Sequence, residues 1–215
     1  MTAALRQALL LAALVAGSIL VLLGLDRLTR EPATRARQLA EEMFLGAIVP
    51  KLASDRGLTL DAVPIPPQYW LGLGLDAPEP VRRVRHGDHI LAVIVPTVAT
   101  RGYGGPIRLL VGIDRDGLVT GVRVVAEQET PGIGDRIRAE RSDWLQMFIG
   151  TSRNAPPASG WRVRREGGTF DAITGATISS RAVVGQVRRV LDYFHEDRKR
   201  LLAPTESAMS AETTP

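Results

Sequence analysis

The 215-residue chain contains no cysteine. Disulfides, thiolate ligation of an iron–sulfur cluster and thiol nucleophiles are therefore excluded as contributions of this chain. Aromatic residues make up 5 %, too few for the stacking platforms of a nucleic-acid binder, and no recognition motif of that class is present. A dominant charge is missing too, since 27 Lys and Arg oppose 23 Asp and Glu for a net +4. The clusters Arg82-Arg83-Val84-Arg85, Arg162-Val163-Arg164-Arg165 and Arg198-Lys199-Arg200 read as solvated faces, able to meet anionic lipid headgroups. His86, His89 and His195 are too few and too separated for a closed metal site, which needs about four ligands, so no metal is assigned. No Ser/His/Asp set or paired carboxylates stand out, so no catalytic residue is assigned, and no internal repeat is visible.

What the chain does have begins with an apolar run, Ala8 to Leu25. Its roughly eighteen residues are close to the minimum that crosses a hydrocarbon core as a helix. Apolar residues continue past the small pair Ala16-Gly17, so a retained anchor is preferred over a cleaved signal. Arg27, Arg30, Arg35 and Arg37 outnumber Arg6 on the amino-terminal side, which by charge alone holds the following domain inside. Pro32 at a first helical position, then Leu39, Ala40, Met43, Phe44 and Ala47, predict a helix ending before Pro50.

Pro64, Pro66, Pro67, Pro78 and Pro80 predict an extended connection. Its Tyr69-Trp70 pair sits at the lipid interface or covers the sheet; core packing is the preferred reading. From about Val81 the pattern is that of strands. Ile90–Val95 reads as a strand buried on both faces, and Ile107–Ile113 and Leu118–Val125 as a hairpin turning at Asp114-Arg115-Asp116-Gly117. A second short hairpin is expected from Trp161–Arg164 to Thr169-Phe170 through Gly167-Gly168, and Ser142 is expected to cap a short helix over Asp143–Phe148. The tail after Leu202 has nothing to bury and reads as disordered. The division is thus 1–30 anchor with flanks, 31–80 helix and Pro-rich connection, 81–202 a single domain, and 203–215 tail. The fold class is α+β, an antiparallel sheet with packed helices behind a transmembrane helix.

Chemistry concentrates at Asp171-Ala172-Ile173-Thr174-Gly175-Ala176-Thr177. Beyond it, Val183, Val184, Val187, Val190, Leu191 and Phe194 fall on one face of a helix. Thr177 stands where an N-cap belongs, and free N–H groups with the positive end of the dipole also suit a phosphate. Gly175 lets the backbone bend and approach a bulky group. A plain cap and a phosphate site both remain open on this evidence. No Gly-Lys-Ser/Thr follows, which argues against a nucleotide-hydrolysing P-loop.

The run resembles the flavinylation motif of FMN-binding domains, D-x-x-S/T-G-A-T, whose last threonine is esterified to the phosphate of FMN by a flavin transferase with FAD as donor. Together with Gly102-Tyr103-Gly104-Gly105-Pro106 and Glu129-Thr130-Pro131-Gly132-Ile133-Gly134, it is similar to the G-subunit family of the Rnf (Rsx) ion-translocating electron-transport complex. The related C-subunit family of the sodium-translocating NADH:quinone reductase carries the same parts. The length and the compact spacing from Gly134 to Phe170 are nearer the Rnf G type. One departure is Glu127-Gln128, where relatives often place a histidine.

The resemblance implies covalent FMN on Thr177, approached through Thr174, Gly175 and Ala176, with Ser179 and Ser180 as phosphate donors. It also implies ring contacts from Glu129, Thr130 and Gly132, with Trp144 or Tyr103 as stacking partners. Asp171 would be read by the transferase. It further implies a redox subunit, not an enzyme alone, within a membrane complex coupling NADH/ferredoxin electron transfer to ion translocation. Partners would be multi-helix membrane subunits, an iron–sulfur subunit, the flavin transferase and the bilayer, with no nucleic acid. The domain would lie on the periplasmic side of the inner membrane, against the charge rule. A flavin-free membrane-anchored assembly protein is the rival outside this class.

Overall fold

The computed structural model describes residues 57–204. The expected anchor, the helix before Pro50 and most of the tail lie outside them, and no helix among the described residues is long and apolar enough to cross a membrane. Five antiparallel strands form one sheet in sequence order: β1 (Leu58–Pro64), β2 (Pro80–His86), β3 (His89–Ala99), β4 (Ile107–Asp114) and β5 (Val119–Ala126). A four-residue helix α1 (Trp70–Leu73) and the 25-residue α2 (Thr177–Leu201) accompany it.

β3 is buried continuously from Ala92 to Ala99, as a two-sided strand should be. It runs four residues further than the apolar run predicts, through Pro96. Pairing with β2 stops at Ile94 while pairing with β4 continues to Ala99, so Pro96 has no strand on one side and its missing N–H costs no ladder bond there. The β4–β5 turn forms as expected. Asp114 Oδ1 accepts from the N–H groups of Asp116 and Leu118, both at 2.9 Å, and Gly117 takes φ +89°.

Two expectations are corrected. The stretch read as a Pro-rich connection supplies β1, which pairs with β2 from Leu58↔His86 to Pro64↔Pro80. The boundary expected at residue 81 therefore falls inside a paired ladder. Prolines close both strands at the same register, so they mark the end of a hairpin pair and not a linker. The second correction concerns Trp161–Phe170, which makes a single parallel bridge, Val163↔Phe170, around a 3₁₀ turn at Arg164–Glu166. The chain doubles back so tightly that a Cβ on Gly168 would stand 1.9 Å from the Arg162 carbonyl oxygen. No room is left for an antiparallel ladder.

All six apolar residues predicted for the last helix are buried, and α2 packs on β3 and β4. Full burial of one such side chain is worth about 1.5–3 kcal/mol. Gln186 is one of the polar residues buried on this helix. Gln186 Nε2 donates to Thr97 Oγ1 at 2.6 Å and to the Gly72 carbonyl at 3.3 Å, and Thr97 Oγ1 donates to the Leu73 carbonyl at 2.8 Å. This chain of bonds fixes the rotation of α2 against β3 and α1. Tyr69 meets Tyr193 edge-on at 4.8 Å, and Trp70 Nε1 donates to the Ile65 carbonyl at 2.8 Å. Both aromatics pack against the core.

Candidate functional site

The Asp171–Thr177 segment is held from below by aromatic rings. Phe170 stacks on Phe148 at 5.0 Å and lies 4.9 Å from Trp161, while Trp144 meets Phe148 edge-on at 5.5 Å. Trp144, Leu145 and Phe148 come from a 3₁₀ turn, Trp144–Phe148, where the sequence predicts a short helix. The N-cap is Asp143 and not the expected Ser142, and its side chain makes no capping bond; Ser142, one residue earlier, accepts from the Trp144 N–H at 3.3 Å through Oγ. Trp144 Nε1 donates to the Asp171 carbonyl at 2.7 Å. Trp144 is thus a buried strut under the loop, whereas Tyr103 is 71 % exposed. The Asp171 carboxylate pairs with Arg164 at 2.9 Å in the open.

Thr177 is not the cap. Ala176 occupies that position with φ −124°, and no side chain caps the helix. Thr177 is the first helical residue, half-buried, and its hydroxyl makes no hydrogen bond among the described residues. The apolar pattern of α2 fixes the helix face but not its first residue, so reading it placed the start one residue late. The cap reading of Thr177 therefore loses its basis. Gly175 takes φ +85°, and a Cβ there would meet Ile133 Cγ2 at 3.0 Å. The Glu129–Gly134 loop and the Thr174–Thr177 loop consequently touch. Thr174 and Gly175 are exposed, and Ala176 is buried.

The hydroxyls expected to meet a phosphate are used elsewhere. Ser180 Oγ donates to the Ala176 carbonyl at 2.9 Å and accepts from the Ile173 N–H at 3.0 Å. Ser179 Oγ donates to Glu129 Oε2 at 2.7 Å. Both serines are fully buried. Their bonds lock the loop onto the helix instead of facing outward.

Glu129 is likewise not a surface contact. Its carboxylate is buried, accepts from Ser179 and from the Gly104 N–H at 3.2 Å, and has no cationic partner among the described residues. A Cβ on Gly102 would stand 2.7 Å from Oε1, and one on Gly134 2.8 Å from Oε2. Gly134 is crowded by Glu129 alone, whereas a Cβ on Gly102 would first meet the Gly105 carbonyl oxygen, at 2.3 Å. Three segments distant in sequence converge on one side chain. Thr130 and Gly132 are exposed on the same loop, and the Thr130 carbonyl accepts from the Ile133 and Gly134 N–H groups at 3.1 and 2.9 Å. Exposed Ile133 and Ile178 flank the Thr177 region.

Two open clefts adjoin these loops. One, of about 420 Å³, is lined by Arg101, Ile178, Arg181, Ala182, Gly185 and Arg189 among others. The other, about 630 Å³, is polar and lies under Glu127, Pro131, Asp135, Arg138 and Arg141. The sequence pointed to neither, because each joins residues from separate elements. Among the described residues no group of three or more His, Asp or Glu is arranged to hold a metal.

Known proteins match this arrangement. The model of the FMN-binding domain family covers residues 102–192, from the first glycine turn through most of α2. The G subunit of the ion-translocating oxidoreductase complex of Pseudomonas aeruginosa is 50 % identical over 136 residues, 63 % of this chain and 64 % of that protein's length. The proteins of the same name in Shewanella piezotolerans and Vibrio vulnificus are each 35 % identical. They match 85 % and 81 % of this chain, and 85 % and 82 % of their own lengths. With an FMN-binding domain over its glycine turns and the Asp171–Thr177 loop, and such similarity over most of its length, the chain belongs to the family of ion-translocating oxidoreductase complex G subunits.

Proposed function

We propose that this chain is a membrane-anchored electron-transfer subunit of an Rnf-type complex, bearing FMN through a phosphoester on Thr177. The observation that carries the reading is the Thr177 hydroxyl, half-buried and unbonded at the start of α2 while the neighbouring Ser179 and Ser180 hydroxyls are engaged. The residues present fit a phosphate ester. The N–H groups of Thr177, Ile178 and Ser179 open a 25-residue helix, where no preceding turn accepts them and the dipole favours an anion. Gly175, at φ +85°, keeps the approach clear. Attachment forms one bond from Thr177 Oγ to phosphorus and breaks the pyrophosphate link of FAD, releasing AMP and the threonine proton.

When bound, the flavin supplies reversible redox chemistry that no side chain of this cysteine-free protein offers. The protein's part is to hold and position it. Trp144 fixes the loop through the Asp171 carbonyl, and Glu129 fixes the helix start through Ser179. Thr130, Gly132, Ile133 and Ile178 are the exposed residues available to the ring. Anchoring by Ala8–Leu25 in the inner membrane and a periplasmic domain complete the proposal, with the other subunits of the complex as electron partners. A tethered cofactor suits that side, where lost FMN is not replaced.

Mass spectrometry of the Thr177 peptide from membranes of cells with an active flavin transferase tests this. The expected mass gain is FMN less water. An unmodified Thr177 in colourless protein would overturn it.

A further inference from the structure

The cleft beside the first turns of α2 has a composition that the attachment chemistry leaves unused. Its lining joins Ile178, Ala182 and Gly185 to the guanidinium-bearing Arg101, Arg181 and Arg189. Gly185 is half-buried in mid-helix, and a Cβ added there would meet nothing within 4 Å. Glycine at a helical position costs about 1 kcal/mol against alanine, and no close approach within the described fold requires it here. Arg101 forms no ion pair or hydrogen bond among the described residues. Arg181 pairs with Glu166, and Arg189 donates to Gln186 Oε1, in both cases leaving further N–H donors. The cleft therefore places apolar side chains and three guanidinium groups together along the first turns of the helix that Thr177 opens.

We propose that this cleft docks an acidic polypeptide segment of an electron-transfer partner, its carboxylates on Arg101, Arg181 and Arg189 and an apolar side chain over Gly185. The inference rests on the flavin reading above, because a partner seated here lies beside the tethered cofactor. Charge complementarity of this kind speeds encounter and fixes register without demanding tight binding.

The chain's lack of cysteine gives a clean test. Gly185→Cys gives this chain its one thiol, and a benzophenone photocrosslinker is coupled to it on the purified full-length protein before that protein is returned to its own membranes. We expect an adduct with another member of the complex, at a segment carrying carboxylates beside the crosslinked residue. Arg101→Glu should lower its yield about tenfold, the effect of some 1.4 kcal/mol. A label-free second measurement is phenylglyoxal modification of Arg189, expected to be fast in the isolated chain and protected in the complex. An adduct with phospholipid or with a segment free of carboxylates, or equal Arg189 reactivity in both states, would overturn the docking surface. The mass of the Thr177 peptide is read in the same preparations. A flavinylated chain without protection removes only the docking surface, and a bare Thr177 removes the flavin reading itself.

Discussion

Ser179 Oγ donates to Glu129 Oε2 at 2.7 Å across fifty residues of chain, both groups buried. The bond ties the Glu-Thr-Pro-Gly loop to the first turn of α2, two residues past Thr177. With the Gly104 N–H on the other carboxylate oxygen, it fastens the Gly102–Gly105 turn, the Glu129–Gly134 loop and the start of α2 at one side chain. Ser179→Ala leaves a buried oxygen short of a donor and should cost about 1–3 kcal/mol. In a double-mutant cycle with Glu129→Gln, denaturant unfolding should show coupling beyond about 0.5 kcal/mol. Additive losses would mean the bond does not form in solution.

Thr177→Ala separates attachment from stability. The adduct should vanish, while the unfolding free energy should change by no more than about 0.5 kcal/mol, as for a residue without a capping or buried role. A cap would be worth about 1 kcal/mol, so a loss of that size would return Thr177 to the capping role.

Gly175→Ala and Gly185→Ala should move stability in opposite directions. The first forces a side chain into φ +85° against Ile133 and should destabilise by about 1 kcal/mol or more. It should also slow flavin incorporation, because the loop must shift. The second fills open space on a helix and should stabilise by up to about 1 kcal/mol. Thermal melts of the two variants side by side decide the matter.

Phe170→Ala removes the ring shared by Phe148 and Trp161. Truncation of a buried phenylalanine costs about 3–5 kcal/mol. The loop above should loosen with it, giving faster amide exchange at Ile173 and Ala176 than in the parent protein.

Tyr193 reports on the far end of α2. Burial, followed by the nearby Asp197, pushes its phenol well above the ordinary value of 10.0, although Arg200 opposes this. A raised folded-state value means that the neutral phenol is favoured in the native protein. Its stabilising contribution is complete below pH 10 and is lost only as pH rises towards the shifted value. An alkaline absorbance titration should lack the Tyr193 step near pH 10 in folded protein and recover it in denaturant. Tyr193→Phe should leave the native titration unchanged.

Where sequence reading succeeded, the signal was local. The two-sided strand at β3, the Asp-Arg-Asp-Gly hairpin and the apolar face of α2 each follow from the periodicity of a single segment. β1 escaped notice because Leu58-Thr59-Leu60-Asp61-Ala62-Val63 alternates weakly and its prolines imitate a linker. Only pairing with β2 makes it a strand. The Trp161–Phe170 segment carried a hairpin's residues yet lacked space for a ladder.

For the site, the Asp171–Thr177 run was legible as a helix start from its own residues, and as a flavinylation motif only through its resemblance to that family. The loops beside it were legible only as glycine turns. That Glu129 faces inward, that Ser179 and Ser180 bond within the fold and that Thr177 stands one place past the cap were decided by tertiary contacts. A side chain's partner depends on which distant segments the sheet and helix bring within 3 Å, and no local pattern encodes that distance. The sequence alone determined which hydroxyl the motif marks; packing decided which hydroxyls remain free.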